Sequence, residues 1–390
     1  MVAVTTSGTT TFLLELGGVL LLLAVLARLA AHTGFSPIPF YLVAGLGIAA
    51  VSPPSIDPGL VAVETQVAVI LLLFMLGLEY SADEVVGSLH GSLPAGAVDL
   101  ALNFPPGVLL GLLLGWDAVA CLLLGGVTYI SSSSIVAKVL DDLGRLGNLE
   151  TPAVLSVLVL EDLAMAPYLP LVAVLLAGGG WPAAAFSALA ATGIAVVALV
   201  LARRHGHLLT LGIAHPKSEV VLLTVVGLLL IAGGAAELLG VSAAVVAFLV
   251  GLSISGSLAE RARELLAPLR DLFAAIFFVS FGLQTDFGAL AGTLAAAALL
   301  ALVTAATKVA TGWWAARRLS AVPGRLRAGT ALVARGEFSI VIAGLGVAAG
   351  AEPGLAALAA AYVLLTAVSG PLLTRYSDAI GLRLARRRAA

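Results

Sequence analysis

The sequence AVLSVLVLEDLAMAPYLPLVAVLLA, residues 153–177, places two adjacent carboxylates, Glu161 and Asp162, inside an otherwise apolar segment. At ~1.5 Å of rise per helical residue, this segment is long enough to cross a hydrocarbon layer ~30 Å thick. The carboxylates then lie near the midplane, where an ionisable side chain is costly and is by default a candidate functional residue. Adjacent helical residues point ~100° apart, so one carboxylate can face a cavity while the other faces a neighbouring helix.

The composition indicates a polytopic membrane protein. Of the 390 residues, 61% are hydrophobic and 11% are charged, and the mean hydropathy is +1.12. Soluble domains of this size are far less apolar. The net charge of -2 does not indicate a nucleic-acid partner. The single cysteine, Cys121, excludes an intramolecular disulfide and a multi-cysteine metal site.

Apolar segments account for nearly the whole chain, and we predict an all-α membrane fold with about thirteen transmembrane helices. No sizeable soluble or regulatory domain is expected beside this single transmembrane domain. The predicted spans are residues 12–31, 36–51, 61–80, 92–115, 118–140, 152–177, 181–202, 218–239, 241–256, 266–284, 288–316, 327–349 and 354–374.

The distribution of Lys and Arg predicts the orientation of the chain in the membrane, because cytoplasmic loops carry an excess of basic residues. With thirteen spans, the basic residues outside the membrane all fall on one side. The loops on the other side contain neither Lys nor Arg; they are residues 52–60, 116–117, 178–182, 240, 285–287 and 350–353. The pattern places the N-terminus outside and the C-terminus in the cytoplasm.

Two of the spans carry polar interruptions at matching depths. Span 118–140 contains Thr128 and the serines 131–134, and span 327–349 contains Arg335-Gly336-Glu337. Serine clusters compete with helical backbone bonding, although an ordinary helix with serines bonded back to the preceding turn remains an alternative. The two spans are seven apart and therefore cross in opposite senses, which favours an inverted repeat with ion sites between two broken helices near the midplane. Arg335 and Glu337 could neutralise the partial charges of the half-helix ends.

An inverted repeat also divides the chain into two parts. Residues 92–177 and 288–374 would form the core that carries the site, and the remaining helices would form the scaffold or dimer part. Asp99 and Asn103, within span 92–115, are candidates for lining a funnel that leads to the site.

The polar residues of the predicted core suit a site for a monovalent cation. Dehydrated K⁺ or Na⁺ is coordinated by oxygen, which Asp162, unwound carbonyls and the hydroxyls of Thr128, Ser131, Ser132, Ser133 and Ser134 could supply. Burial disfavours the charged form of a carboxylate, so a proton and a cation can compete for Asp162. Lys308 lies deep in a span of an arginine-rich chain, and a buried lysine can lose its proton whereas arginine effectively cannot. Whether a bridge between Glu161 and Lys308 is structural or functional is left open.

Five segments in this order resemble a known transporter family across nearly the whole chain. They are GLEY at 77–80, TYISSSSIVAKVLDDL at 128–143, LVLEDLAMAPYL at 158–169, FFVSFGLQTDF at 277–287 and ALVARGEFSIVIAG at 331–344. In combination they resemble the second branch of the monovalent cation:proton antiporters, which includes the Kef potassium systems. The sequence at residues 160–166 and 334–341 most resembles that of membrane subunits of potassium/proton antiporters that work with a separate soluble regulator.

The resemblance implies roles for individual residues. Asp162 matches the aspartate that alternately carries the proton and the cation, and Glu161 matches the variable position before it. Lys308 matches a lysine that can pair with that position. Kef proteins generally have Gln where this chain has Glu161, so their stoichiometry does not carry over. Thr128 and the serines 131–134 match the first unwound segment, and Arg335 and Glu337 match the second.

The resemblance also implies the physiology. We expect a sodium/proton antiporter-like fold in a bacterial inner membrane, exchanging K⁺ in preference to Na⁺ for H⁺ by alternating access. A homodimer in contact with membrane lipid is expected, with no bound cofactor and with a soluble regulatory subunit as a candidate partner.

Three other functions are compatible with polar membrane spans. A cation channel would use similar residues without needing a titrating carboxylate beside a buried lysine. A sodium-coupled organic-anion carrier could share the fold, but the acidic pair favours a cation. An intramembrane enzyme is the remaining class, and the sequence contains no His-Glu-x-x-His motif.

Overall fold

A computed structural model describes residues 6–33, 37–51, 58–79, 82–238, 243–254, 256–284, 287–319 and 322–389. Within these ranges all regular secondary structure is helical. The helices are α1 (Thr6–Thr33), α2 (Ile38–Val51), α3 (Pro58–Glu79), α4 (Ala82–Asn103), α5 (Pro105–Leu113), α6 (Ala118–Tyr129), α7 (Ser133–Asp142), α8 (Thr151–Leu176), α9 (Trp181–Ile213), α10 (Ser218–Leu238), α11 (Ala243–Ser253), α12 (Ser257–Gln284), α13 (Phe287–Ala315), α14 (Val322–Ala331), α15 (Glu337–Ala348) and α16 (Gly354–Ala389).

Where its residues are described, each predicted span lies mainly on one helix or on two consecutive helices. The divided spans are 92–115 (α4 and α5), 118–140 (α6 and α7) and 327–349 (α14 and α15). Among the described residues, six helices are long and apolar enough to cross a membrane, and shorter apolar helices accompany them. The division of the first of these spans was not predicted. It coincides with Pro105 and Pro106, which cannot donate a backbone hydrogen bond and so end the preceding helix.

Four helices extend nine or more residues beyond their predicted spans. α4 begins at Ala82, α9 continues to Ile213, α12 begins at Ser257 and α16 continues to Ala389. The predicted spans do not coincide with these helix ends, because hydropathy marks only the apolar part of a helix. A polar or charged sequence with good helix propensity extends the helix beyond it.

The two broken helices meet, as predicted. α6 and α7 are separated by residues 130–132, and α14 and α15 by residues 332–336. The backbone N–H of Ser132 donates to the carbonyl of Ala334 at 2.9 Å, and the Ser131 hydroxyl donates to the carbonyl of Leu332 at 2.9 Å. The polar groups freed by each break are therefore bonded by the other, which is how a membrane protein can hold non-helical backbone at depth.

The broken helices pack against their neighbours: α6 packs against α5 and α15, and α16 packs against α13 and α14. α8 packs against both α4 and α9. α2 packs against α12, and α3 packs against α11.

Both of these last contacts are made at glycines. A Cβ added to Gly45 would lie 2.9 Å from the Cα of Gly282, and one added to Gly77 would lie 3.0 Å from the Cα of Gly251. α2 and α11 are seven spans apart, as are α3 and α12, so the inverted repeat relates the two glycine crossings. Small residues permit this close approach of helix backbones in membranes.

Candidate ion-binding site

Glu161 lies in the middle of α8 and is fully buried. Its Oε1 accepts hydrogen bonds from Lys308 Nζ at 2.8 Å and from Ser131 Oγ at 3.1 Å. Its Oε2 accepts from the backbone N–H of Ser131. One carboxylate thus bonds both to the first broken helix and to α13.

Asp162 is the next residue and points to a different partner. Its Oδ2 accepts a hydrogen bond from the hydroxyl of Ser133 at 3.2 Å, and the residue is only 3% exposed. Ser133 is the first residue of α7, and the N-terminal end of a helix carries a positive partial charge that favours an anion. The two adjacent carboxylates therefore face different surroundings, as the helical geometry predicts.

Lys308, on α13, lies between two carboxylates. Its Nζ is 2.7 Å from Asp99 Oδ1 and 2.8 Å from Glu161 Oε1, and all three side chains are buried. The ring of Tyr129 lies 5.5 Å from the same nitrogen. The structure thus contains the contact between Glu161 and Lys308 considered above, and it adds Asp99 as a second carboxylate partner.

Asn103 connects the helices around this lysine. Its Nδ2 donates to Asp99 Oδ1 at 2.9 Å and to Thr311 Oγ1 at 3.0 Å, and its Oδ1 accepts from Thr307 Oγ1 at 2.7 Å. Its backbone carbonyl accepts from the hydroxyl of Thr128 at 2.9 Å. Asp99 and Asn103 are both fully buried, and these bonds join them to the lysine cluster. Their predicted role in a funnel stays a prediction.

The hydroxyls of the first broken helix are shared among several partners. Thr128 bonds to backbone carbonyls of Asn103 and Gly125, and Ser131 bonds to Glu161 and Leu332. Ser132 accepts from the backbone N–H of Ile135 and faces Gly336, where a Cβ would collide with it. Ser133 donates a hydrogen bond to Asp162. The side chain of Ser134 lies outside the part of the structure that is described.

Arg335, in the second broken helix, is fully buried and faces carbonyl oxygens. It donates to the carbonyls of Leu332 at 2.9 Å, Val333 at 3.1 Å and Thr128 at 3.0 Å. These carbonyls follow α14 or belong to the last turn of α6, where the partial charge of a helix end is negative. The guanidinium is therefore placed where it can offset both ends. Glu337 begins α15, but its side chain is not among those described.

Sequence reasoning missed the contact of Asp99 with Lys308 and the two threonines that hold Asn103. One signal was available. Asp99 and Asn103 are four residues apart, as are Thr307 and Thr311, so each pair lies on one helix face. Polar faces on two otherwise apolar helices predict that the two helices pack with these faces in contact, because unpaired polar groups are costly in hydrocarbon.

The comparisons with known proteins agree with this geometry. Residues 18–376 match the family described as "Sodium/hydrogen exchanger, transmembrane". The chain belongs to this family. It is accordingly a cation/proton antiporter, a multi-pass secondary transporter and not an enzyme.

Relatives of this antiporter include two bacterial antiporter subunits. The K(+)/H(+) antiporter subunit KhtU of Bacillus subtilis is 34% identical, over 94% of this chain and 93% of the relative. The ammonium/H(+) antiporter subunit AmhT of Alkalihalophilus pseudofirmus is 33% identical, over 81% of each. The glutathione-regulated potassium-efflux protein KefC of Klebsiella pneumoniae is 28% identical over 82% of this chain, which spans about half of that longer protein.

The fold matches a solved antiporter. The sodium proton antiporter MjNhaP1 of Methanocaldococcus jannaschii superposes with a TM-score of 0.69 at 16% identity, covering 96% of this chain and 99% of that one. At this identity the likeness establishes the fold alone.

Proposed function

We propose that the antiporter exchanges a monovalent cation, K⁺ in preference to Na⁺, for protons that compete with the cation at Asp162. The observation that carries the proposal is the position of Asp162. It is a buried carboxylate on α8 that faces the N-terminal end of α7, where it accepts a hydrogen bond from the hydroxyl of Ser133. Glu161, by contrast, is bonded to Lys308 and Ser131, in a cluster of buried side chains.

The preference for K⁺ rests on the relatives. KhtU, named for K⁺ and H⁺, is 34% identical over nearly the full length of both chains. AmhT, named for ammonium and H⁺, is nearly as similar, which makes NH₄⁺ the second candidate cargo. Relatives named for Na⁺, such as NhaS3 of Synechocystis at 27% identity, are more distant.

The proposal includes movement of one part of the protein against the other. Residues 92–177 and 288–374 would move as a core relative to the remaining helices, so that the site opens to each side in turn. The packing of α6 against α5 and α15, and of α16 against α13 and α14, supports this division.

The cellular setting is part of the same proposal. We place the protein in a bacterial cell membrane as a homodimer contacting lipid, with the N-terminus outside, the C-terminus in the cytoplasm and a separate soluble regulatory subunit. The one-sided distribution of Lys and Arg and the word "subunit" in the name KhtU support it. A protease added to intact cells should not reach a tag placed after Ala390.

The test is cation-driven proton flux in proteoliposomes that contain a pH-sensitive dye. KCl should drive larger pH changes than NaCl, and choline chloride should drive none. Ammonium, which disturbs luminal pH by itself, is tested as a competitor of radioactive rubidium uptake. Asp162→Asn should reduce exchange to background while leaving the folded protein intact, because an amide cannot take up the proton.

Asp271→Asn is the matched control, since Asp271 lies on α12 with its side chain 67% exposed. It should exchange at the wild-type rate. Wild-type rates for Asp162→Asn, or equal pH changes with choline chloride, would refute the proposal.

A further inference from the structure

We propose that Asp99 is a positioning residue that keeps Lys308 charged throughout transport, so that the protein exchanges one proton for each cation. The inference rests on the proposed function at Asp162 and extends it to the exchange ratio. Asp99 lies on α4, at the buried contact of that helix with α13.

The surroundings of Lys308 are built for an ammonium ion. An ammonium has three N–H donors and no acceptor. Two donors are directed at carboxylate oxygens, Asp99 Oδ1 at 2.7 Å and Glu161 Oε1 at 2.8 Å. The ring of Tyr129, 5.5 Å from the nitrogen, presents an aromatic surface to the charge, an arrangement that attracts cations.

Loss of the lysine proton would leave a costly arrangement. Two buried carboxylates would share one neutral amine, and like charges at short range in a dry interior repel strongly. Among the described residues, Arg335 donates to backbone carbonyls and to Ser131 Oγ at 3.4 Å, and it forms no ion pair with either carboxylate. Lys308 is therefore a poor carrier of the transported proton.

Asp99 is held in place by bonds that do not involve the lysine. Asn103 Nδ2 donates to Asp99 Oδ1 and to the Asp99 backbone carbonyl, both at 2.9 Å. Asn103 is fixed in turn by Thr307, Thr311 and Thr128, on two other helices. Asp99 and Lys308 both fall within the proposed moving core, so their contact is kept when the core moves.

The ratio follows from where the proton can bind. If Lys308 keeps its proton and both Asp99 and Glu161 stay ionised beside it, Asp162 alone exchanges, and one H⁺ leaves for each monovalent cation that binds. No net charge then crosses the membrane. If Lys308 also released a proton, two protons would move for each cation and transport would respond to the membrane potential.

A null-point measurement in proteoliposomes separates the two ratios. The full-length protein is reconstituted with a luminal pH dye and with thiocyanate on both sides, which holds the membrane potential at zero. For a pH difference of one unit, a one-to-one exchanger is balanced by an about tenfold cation gradient and a two-to-one exchanger by an about hundredfold gradient.

We expect the wild-type protein to be balanced by a cation gradient of about tenfold. In Asp99→Asn, Lys308 keeps a single carboxylate partner and can release its proton more readily, so the balancing gradient should shift toward about hundredfold. A merely structural role of Asp99 would lower the rate without moving the null point. Asp271→Asn should keep the wild-type null point. A wild-type null point near hundredfold, or an unmoved one in Asp99→Asn, would overturn the proposal even though exchange itself is present. Absence of exchange in the wild type would instead contradict the proposed function.

Lys308→Arg provides a second test if Asp99→Asn does not fold. Arginine effectively never releases its proton. If a folded Lys308→Arg protein is balanced by a cation gradient of about tenfold for one pH unit, the result supports a lysine that stays charged. A folded one without exchange counts against it.

Discussion

Lys308 joins three helices through a single side chain. Its two carboxylate partners come from α4 and α8, and none of the three residues is exposed to solvent. Removing one partner of a buried ion pair destabilises a protein more than replacing both partners by apolar residues, because the other charge stays buried without compensation. The loss of stability on substitution should therefore differ among the three residues, since the lysine has two carboxylate partners and each carboxylate shares the one lysine.

Replacement of Lys308 should therefore be more harmful than replacement of Glu161. Lys308→Gln leaves Asp99 and Glu161 without a cation and should cost roughly 3–5 kcal/mol of stability. Glu161→Gln leaves the lysine paired with Asp99 and should cost less. The double variant should be less unstable than the sum of the two, with a coupling of roughly 0.5–3 kcal/mol.

Melting temperatures in detergent measure this order. Lys217→Gln, at an exposed lysine, is the control and should melt like the wild type. Equal shifts for Lys308→Gln and Glu161→Gln, or strictly additive shifts, would mean that the three side chains do not form one cluster.

At the scale of helices, the glycine crossings decide how closely α2 and α3 approach α12 and α11. A Cβ at Gly45 would meet the backbone carbonyl of Val279 and the Cα of Gly282, neither of which can rotate away. Gly47, two residues along the same helix, has nothing within 4 Å of such a Cβ. The two positions share helix and depth but differ in what they face.

Gly45→Ala should therefore destabilise the protein by roughly 1–3 kcal/mol, as overpacking does elsewhere. Gly47→Ala should be neutral or stabilising by roughly 0.4–1 kcal/mol, because alanine restricts the unfolded chain more than glycine does. Thermal melting of both variants in the same detergent measures the difference. If Gly45→Ala melted at or above the wild-type temperature, the helices would not cross as closely as described.

At the scale of the whole molecule, an ion-pair network at or just beyond the ends of the predicted spans joins the two halves of the repeat. Arg327 on α14 donates to Glu150, which precedes α8, and to Asp378 on α16 at 2.7 Å. Arg145 also bonds to Asp378, at 2.8 Å.

Burial alone would raise the pKa of Glu150, but hydrogen bonds from Arg327 and Asn148 outweigh it and lower the pKa from its ordinary 4.5. For Asp378, burial is likewise outweighed by Arg327 and Arg145, and its pKa falls from its ordinary 3.8.

The stability contributed by these two carboxylates should be lost in acid. Because their folded pKa values lie below the unfolded ones, the contribution is present above 4.5 and 3.8 and disappears as the pH falls through the lower folded values. Arg327→Gln should lower stability near neutral pH by roughly 1.5–3 kcal/mol, the usual contribution of hydrogen bonds to charged groups. Its melting temperature should approach that of the wild type in acid.

Melting curves across the acid range measure the difference between the two proteins. Arg317→Gln is the control, because Arg317 stacks on Trp314 outside this network. A gap between wild type and Arg327→Gln that stays constant down to the acid limit would show that these carboxylates do not titrate with the fold.

The sequence alone determined the membrane class, the order of the spans, the two broken helices and the carboxylate pair at 161–162. Each of these depends on composition or on neighbouring residues: apolar length, serine clusters, Arg335-Gly336-Glu337 in an apolar span. Local patterns of this kind can be recognised without knowledge of the fold. The family resemblance rested on the same segments.

Only the tertiary structure decided which buried groups meet. Asp99 and Lys308 are 209 residues apart, and their contact depends on the rotation of α4 and α13 about their axes. The same rotations direct Ser131 to Glu161 and Ser133 to Asp162, although the serines are equivalent in sequence. A helix sequence specifies which residues share a face, whereas the packing of all the helices specifies what that face touches. The partners of a buried charge are set by that packing.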